Sequence, residues 1–208
     1  MKLVIFGATG NVGKHLVKCA IANGHTVTAF CRDAKALSEQ QAEQLTIFHG
    51  DIFHREAVEK AIKGQDAVLC TIGDGRKGKV RGTGTQHIIS AMKKQGVQRL
   101  ICQTTLGLGS SRGNLNFVWK YIMFGFLLKK AFKDHQAQEE YLFNSDIDYT
   151  IVRPSALIDG EATHAYQVGF NGEQKNLNLK ITKADVADFM LKQLSDTAAI
   201  KKAISISN

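Results

Sequence analysis

The chain has 208 residues, of which 44% are hydrophobic and 22% charged, and this composition suits a single soluble α/β domain with a full core. Its formal net charge of +8 favours anionic ligands such as phosphorylated cofactors, and because no base-reading motif occurs we expect no nucleic-acid partner. No run of about 20 apolar residues could span a membrane. The four cysteines form no CxxC pair, so we expect reduced thiols in a cytoplasmic protein and no metal site. Because the N-terminus is itself the first predicted strand, we expect no signal peptide.

The N-terminal segment predicts a strand, a glycine-rich turn and a helix in immediate succession. Residues 2–6 are an apolar run, and residues 15–23 have a helical pattern. Gly7 permits a sharp turn, Gly10 lets the backbone approach phosphate oxygens, and Gly13 lets the helix pack closely on the sheet. This arrangement favours a pyrophosphate at the helix N-terminus, and the alternative is a tight turn without a ligand. The predicted cofactor contacts here are Gly7, Thr9, Gly10, Asn11, Val12 and Gly13.

Strands and helices alternate along the rest of the chain. This alternation predicts a Rossmann-like doubly wound parallel sheet with helices on both faces, in one domain spanning residues 1–208. Ligands bind such sheets at the carboxyl ends of the strands, so the residues that follow each strand are the candidates for function. Further strands are predicted at 26–31, 45–49, 67–70, 99–104, 148–153 and 203–206, and further helices at 34–42, 57–63, 82–95 and 183–194.

The end of the second predicted strand indicates which dinucleotide binds. An acidic residue at this point accepts a hydrogen bond from the ribose of NAD, whereas an arginine holds the 2′-phosphate of NADP. Arg32 comes first, and Lys35 follows within reach. A guanidinium binds phosphate through two parallel hydrogen bonds, so we predict NADP(H). Asp33 keeps open the alternative that a carboxylate serves the ribose of NAD, and a solvated charge pair in a turn is the third interpretation.

After the fourth predicted strand, Thr71, Ile72 and Gly73 are predicted to contact the cofactor, because glycine lets the dinucleotide pass over the backbone. The loop at 74–81 is polar, rich in glycine and contains four basic residues. One interpretation is a mobile loop that closes over the pyrophosphate, and the other is an ordinary solvated loop.

The spacing GxxGxxG at residues 7–13 resembles the short-chain dehydrogenase/reductase superfamily, in particular its atypical and extended branches. Further motifs narrow the resemblance to the family of biliverdin reductase B, or flavin reductase, and its bacterial relatives. This resemblance covers almost the whole chain and implies an NADPH-dependent reductase. The matching pieces are Ile5–Gly10, Arg32-Asp33, Gly50-Asp51, Gly64–Val68, Ala91–Lys93, Asp134-His135 and Lys183–Asp185.

The resemblance also implies roles for residues after the third and fifth strands. Asp51 reads the exocyclic amine of adenine and Ile52 packs on its ring, although Asp51 equally fits a cap on the next helix. Thr104 contacts the cofactor. Thr105 stands where the family has a serine beside nicotinamide and substrate, so it is our candidate catalytic residue. The YxxxK pair of most superfamily members has no counterpart in the expected region.

The turn after the sixth strand departs from the narrower family. The histidine of that family falls at Ala156, so its contact is absent, which leaves its role in tetrapyrrole reduction without a counterpart. Val152 to Ala156 instead resembles the broader atypical-reductase pattern, in which this turn lines the nicotinamide. The implied cofactor contacts are Pro154, Ser155 and Ala156.

The segment 117–132 is unusually apolar, with twelve of its sixteen residues hydrophobic and three lysines. One interpretation is a lid whose aromatic rings Phe117, Trp119 and Tyr121 stack on a flat substrate. A second is an oligomer contact or a helix in weak contact with a membrane surface. A third is a helix packed under the sheet edge. We predict the lid, and with residues 155–182 the segment 106–135 would cover the substrate.

Asp134-His135 follows this segment. His135 is either a proton donor near the nicotinamide or a partner of Asp134 on a surface turn, and we predict the second. Together these features predict a monomeric, cytoplasmic, NADPH-dependent reductase of flavins or similar flat conjugated acceptors, such as FMN, riboflavin or a linear tetrapyrrole. Flavin is then a substrate rather than a tightly bound cofactor. The alternative is a redox sensor that binds NADP(H) without turnover, since the absence of YxxxK suits both.

Overall fold

The computed structural model describes residues 1–37, 42–174 and 177–208. Its helices are α1 (Gly13–Ala22), α2 (Arg55–Ile62), α3 (Arg81–Gln95), α4 (Lys129–Phe143) and α5 (Lys183–Lys192), and a π-helix at Val118–Leu127 precedes α4. Its strands are β1 (Lys2–Phe6), β2 (Thr26–Cys31), β3 (Leu45–His49), β4 (Ala67–Cys70), β5 (Arg99–Gln103), β6 (Asp148–Pro154), β7 (Ala156–Ile158), β8 (Gln167–Val168), β9 (Lys180–Thr182) and β10 (Lys202–Ser207).

The main sheet has eight strands in the order β3-β2-β1-β4-β5-β6-β10-β8. All neighbours in it are parallel except β8, which runs antiparallel to β10. The chain therefore starts in the middle of the sheet, builds outward through β2 and β3, and returns to continue on the other side of β1. This reversal between β1 and β4 opens a crevice at the carboxyl ends of those strands.

Helices cover both faces of the sheet, as a doubly wound fold requires. On one face α1 and α5 pack together, and on the other α3 packs against both α2 and α4. Because β1 and β4 lie between these layers, their side chains are buried on both faces, which explains their uninterrupted apolar sequences. The two hydrophobic clusters of the core correspond to the two faces.

The predicted fold class is confirmed, but the sequence did not predict α4, β7, β8 or β9, and the ends of several other elements differ. The first helix begins at Gly13 instead of 15, because the glycine turn leads directly into it. The helix predicted at 34–42 is a short 3-10 turn over Ala34–Leu37, and its continuation at 38–41 lies outside the described residues. The cysteines are free thiols, with Cys31, Cys70 and Cys102 buried. Within the described ranges, no helix is both long enough and apolar enough to cross a bilayer.

A small subsidiary layer follows β5 and β6. Leu106, Leu115 and Phe170 form a separate buried cluster, and Trp119 and Phe124 pack against it. This cluster joins the segment 106–135 to the segment 155–182, and the parallel pair β7–β9 extends the second of them. Both segments leave the sheet at the carboxyl ends of the strands, so the layer lies beside the crevice.

Candidate functional site

The glycine turn between β1 and α1 has the geometry that its sequence predicts. Gly7 has φ of +83°, and a Cβ there would lie 2.7 Å from the carbonyl carbon of Thr71. A Cβ on Gly13 would collide with the carbonyl oxygen of Gly7, so α1 can pack this closely only with glycine at its first residue. The N-terminus of α1 has no side-chain cap and no acidic residue in its first turn. The Lys14 N–H donates to the Gly10 carbonyl oxygen at 3.1 Å, and the remaining N–H groups of an uncapped helix N-terminus favour an anionic ligand.

One end of the crevice, a pocket of about 130 Å³, lies between the glycine turn and the ends of β2 and β3. Arg32 lines this pocket, but Asp33 does not, because its carboxylate accepts a hydrogen bond from the N–H of Lys35 at 2.9 Å and closes a local turn. Arg32 makes no hydrogen bond or ion pair with any described residue. The geometry therefore favours Arg32 over Asp33 as the group that meets the adenosine ribose.

Asp51 and Ile52 line the same pocket. Asp51 does not cap α2: the N-cap of α2 is His54, and one Asp51 carboxylate oxygen instead accepts from the N–H of Phe53 at 2.9 Å. The interpretation of Asp51 as a helix cap is therefore wrong, because its side chain stabilises the turn that precedes α2. Ile52 is 7% exposed and presents an apolar surface to the pocket.

The other end of the crevice is a larger cleft of about 450 Å³. Both cavities share Gly10, Thr71, Ile72 and Gly73, so they form one continuous groove across the sheet. The predicted residues that the cleft brings together are Gly10, Asn11, Val12, Thr71, Ile72, Gly73, Thr104, Thr105, Trp119, Pro154, Ser155 and Ala156. A groove that joins these turns has the course expected of an extended dinucleotide.

The two threonines after β5 differ in what their hydroxyls do. The Thr104 hydroxyl is buried and donates to Glu139 Oε1 at 2.8 Å. Arg153 donates to both carboxylate oxygens of Glu139, at 2.8 and 2.6 Å, so a buried ion pair fixes the ends of β5 and β6 against α4. Thr105 is half-buried, and its hydroxyl has only a long contact of 3.4 Å with the Leu106 carbonyl oxygen. The Thr105 hydroxyl is therefore the one available to a ligand.

Besides Arg81 Nε, two further polar atoms at the cleft have no partner among the described residues. They are Gln103 Oε1, at the end of β5, and Ser155 Oγ, after β6, and both atoms are buried. A buried polar atom without a hydrogen bond is costly, so these atoms indicate that a polar ligand completes the site. Together with the geometry of the glycine turn, they fit a nicotinamide dinucleotide.

The loop at 74–81 is held at its ends by Asp74 and Arg81, whereas Arg76, Lys77 and Lys79 are exposed, as the solvated-loop interpretation expects for most of its charges. Arg81 is 8% exposed and pairs with Asp74 at 3.0 Å and with Asp134 at 3.5 Å. Asp74 also accepts from the N–H groups of Gly78 and Lys79. These contacts tie the loop to α4 and fix the wall of the cleft beside Gly73.

His135 lies at the cleft, contrary to the predicted surface pair. Asp134 does not bond to it, because the Asp134 carboxylate accepts the N–H groups of Val80, Arg81 and Gly82 at the start of α3. His135 Nδ1 is instead 3.1 Å from Gln138 Oε1. Burial, with the positive charge of Arg81, lowers the pKa of His135 to about 3. The imidazole is consequently neutral near pH 7 and is not an acid, which also argues against the proton-donor interpretation.

The π-helix supplies the aromatic wall of the cleft, though with a different set of rings from the predicted one. Trp119 and Phe124 line the cleft, with ring centroids 5.6 Å apart. Their spacing of five residues is the spacing that a π-helix places on one face. Phe117 and Tyr121 do not line the cleft; they pair with each other and are 69% and 59% exposed. The prediction of these two rings as substrate contacts is therefore wrong for this structure.

None of the π-helix residues is buried, so the segment is not a core helix under the sheet edge. The sequence did not distinguish which aromatic rings face the cleft, because nothing in a single sequence marks the wider π-helical turn. Gln103 and His135 were also missed as cleft residues. Their position at strand ends and after the apolar segment offered a weak signal. The remaining apolar lining comes from Leu106, Leu115, Leu128, Leu157 and Leu179.

The strand order, the glycine turn and the groove define an oxidoreductase domain of the Rossmann type that binds NAD(P)H. A family profile described as NAD(P)H-binding matches residues 7–197. The chain belongs to this NAD(P)H-binding family.

Several full-length relatives are similar to the chain. ChuY, an anaerobilin reductase from Escherichia coli O157:H7, is 27% identical with a TM-score of 0.82, over 100% of this chain and 97% of ChuY. The oxidoreductase YlbE from Lactococcus lactis is 28% identical with a TM-score of 0.82, over 100% of this chain and 91% of YlbE. The UPF0659 protein YMR090W from Saccharomyces cerevisiae is 27% identical over 100% of this chain and 93% of its own length.

Proposed function

We propose that the protein is an NADPH-dependent reductase that transfers hydride to a flat conjugated acceptor, such as a flavin or a linear tetrapyrrole. The observation that carries this proposal is the cleft itself. Its aromatic wall, formed by Trp119 and Phe124, lies across from the strand ends where the nicotinamide would bind. Among the residues that line the cleft, none is an acid that could protonate a substrate. An acceptor that delocalises the charge it gains does not require such an acid.

The choice of NADPH over NADH rests on Arg32. Its guanidinium is unpaired among the described residues and lines the adenosine pocket, whereas Asp33 is engaged in its own turn. A guanidinium is suited to a dianionic 2′-phosphate because it can donate two parallel hydrogen bonds. The formal net charge of +8 adds a general attraction for the phosphates.

When bound, NADPH supplies the hydride, and the residues of the chain orient and shield the reacting rings. The glycine turn and the N-terminus of α1 bind the pyrophosphate. At the part of the cleft where the nicotinamide would bind, Gln103 Oε1 can accept a hydrogen bond, and Ser155 Oγ can accept or donate one. Thr105 donates a hydrogen bond that orients the acceptor. Solvent supplies any proton, since His135 is neutral.

The relatives lend support to the acceptor class. ChuY is described as an anaerobilin reductase, and its chain aligns with this one over their whole lengths. We therefore include linear tetrapyrroles beside flavins among the acceptors to be tested. The segments 106–135 and 155–182 would cover the acceptor, with Trp119 and Phe124 stacking on its ring.

The proposal is tested by anaerobic assays of NADPH oxidation with FMN, riboflavin and biliverdin, with NADPH deuterated at C4 as a second substrate. We expect NADPH loss equal to acceptor reduction, and slower transfer from the deuterated C4 position because the C–H bond breaks directly. Binding of NADPH without turnover of any acceptor would refute the reductase and support an NADP(H) sensor.

A pair of variants tests the aromatic wall. Loss of one stacking contact costs about 0.5–1.5 kcal/mol, so Trp119→Ala should raise the acceptor KM roughly two- to tenfold and leave the Kd of NADPH unchanged. Phe117→Ala is the matched control, because Phe117 belongs to the same segment but lies outside the cleft. Equal acceptor KM values in the two variants would contradict the assignment of Trp119.

A further inference from the structure

A second cavity, of about 220 Å³, adjoins the cleft between the π-helix, the start of α4 and the chain after β5. Four of the residues that line it are cationic: Arg112, Lys120, Lys129 and Lys133. Apart from these, the lining is apolar or uncharged, and it contains no acidic residue. We call this cavity the basic pocket.

The cations of the basic pocket have no counter-ions among the residues that the structure describes. None of the four forms an ion pair or a side-chain hydrogen bond with a described residue. The sequence explains why, since no Asp or Glu occurs between Asp74 and Asp134. Four cations around one small cavity repel one another, so the folded protein is destabilised locally unless an anion binds there.

The charges at the start of α4 are likewise opposite to those that stabilise the N-terminus of a helix. Lys129, Lys130 and Lys133 fall within its first five residues, and the helix has neither an acidic first turn nor a side-chain cap. The positive end of the helix dipole is therefore surrounded by positive side chains, whereas acidic residues are the stabilising choice. A departure of this kind from local preference is expected at functional sites.

The basic pocket begins where the substrate cleft ends. Leu115 and Phe124 line both cavities, so their side chains form the boundary between the two. Gly107, with φ of +100°, lets Leu115 and Phe124 occupy this position, because a Cβ at Gly107 would collide with Leu115. A ring stacked on the Phe124 side of the cleft thus lies next to the cations. The glycine turn, where the pyrophosphate would bind, does not line the basic pocket.

We infer that the basic pocket binds an anionic arm, a carboxylate or a phosphate, of the acceptor whose ring occupies the cleft. This inference rests on the proposed reductase function and narrows its substrate class to flat conjugated acceptors that carry an anionic substituent. Apolar contact in the cleft holds the ring, and the cations select for the arm. Neutral acceptors with the same ring bind more weakly.

FMN and riboflavin test the inference, because they share one ring system and differ by a phosphate. We expect a lower KM for FMN than for riboflavin. Lys129→Gln should raise the KM of FMN roughly three- to tenfold, the range for a partly exposed charge-assisted contact, and leave that of riboflavin unchanged. Lys130→Gln is the matched control, because this neighbouring lysine is exposed but does not line the pocket. Inorganic phosphate should compete with FMN and not with riboflavin.

Binding measured without turnover separates this inference from the proposed function. With saturating NADP⁺, the quenching of Trp119 fluorescence gives the Kd of each flavin in the wild type and in both variants. A preference for FMN that Lys129→Gln alone removes supports the anionic subsite even if no acceptor is reduced. Equal Kd values for FMN and riboflavin, or equal effects of the two substitutions, would overturn it.

Anionic phospholipid vesicles provide a third arm, because the exposed apolar residues Phe117 and Phe126 belong to the same segment, 117–132, as Lys129 and Lys130. If the anion that binds here is part of an acceptor, the loss of vesicle binding in either variant is smaller than the loss of FMN binding in Lys129→Gln. If Lys129→Gln and Lys130→Gln weaken vesicle binding equally and leave the flavin Kd values unchanged, the cations serve a membrane surface and the inference is wrong.

Discussion

Arg32→Ala gives the sharpest test of the cofactor assignment. Arg32 lines the adenosine pocket and has no partner among the described residues, so the substitution removes one cation without leaving a carboxylate unpaired. A charge-assisted contact to phosphate contributes about 1.5–3 kcal/mol. Because Arg32 is exposed to solvent, we take the lower end of this range, which corresponds to a roughly tenfold weaker Kd for NADPH. The Kd of NADH should stay within about twofold, since NADH lacks the 2′-phosphate.

The assay is a titration of both dinucleotides by calorimetry at low and moderate salt. Salt should weaken NADPH binding more than NADH binding in the wild type, and this difference should shrink in Arg32→Ala. Arg55→Ala serves as the control for the general loss of one positive charge, because Arg55 begins α2 outside the groove. The reasoning fails if the wild type binds NADPH and NADH equally, or if Arg32→Ala keeps the wild-type preference.

Three further predictions concern the site and its support. Thr105→Val should lower turnover about fivefold without abolishing it and leave NADPH binding intact, as one lost hydrogen bond implies; turnover at background would show a chemical role. The low pKa of His135 predicts a pH profile without a step near 6.5 and near-normal turnover in His135→Gln; a limb at that pH that disappears in the variant would contradict it. Burial would raise the pKa of Asp185, but hydrogen bonds from His164, Thr163 and Thr182 outweigh burial and lower it. Asp185→Asn should therefore cost about 1–3 kcal/mol in urea unfolding at pH 7, and this difference from wild type should shrink as the pH falls below the ordinary aspartate range; a constant difference would refute it.

The pattern of apolar runs separated by turn residues was sufficient to predict the sheet and the cofactor turn. The glycines at residues 7 and 13 have local steric reasons that hold in any strand–turn–helix of this type, and the structure has both close approaches. The parallel order follows from alternating strands and helices, because helices of this length return the chain to the same end of the sheet. Position after a strand likewise identified Thr71 as a groove residue, and the family resemblance identified Thr105.

Side-chain partners between distant segments could not be predicted in this way. Thr104 and Thr105 are equivalent in the sequence, and only the approach of Glu139 from α4 engages one hydroxyl and leaves the other free. Asp134 and His135 are adjacent, yet the Asp134 carboxylate accepts hydrogen bonds at the N-terminus of α3, whereas the His135 imidazole lines the cleft. Such pairings depend on how helices pack, which a single sequence does not specify.

The sequence by itself thus determined the fold, the dinucleotide turn and the strand ends that form the groove, because these depend on periodicity and on the steric limits of glycine. The tertiary structure alone decided which rings face the acceptor. A π-helical pitch turned Trp119 and Phe124 toward the cleft and left Phe117 in solvent. The tertiary structure also brings Arg112 together with Lys120, Lys129 and Lys133 around the basic pocket. The physical reason is that backbone pitch and long-range packing, unlike local propensity, set the direction in which a side chain points.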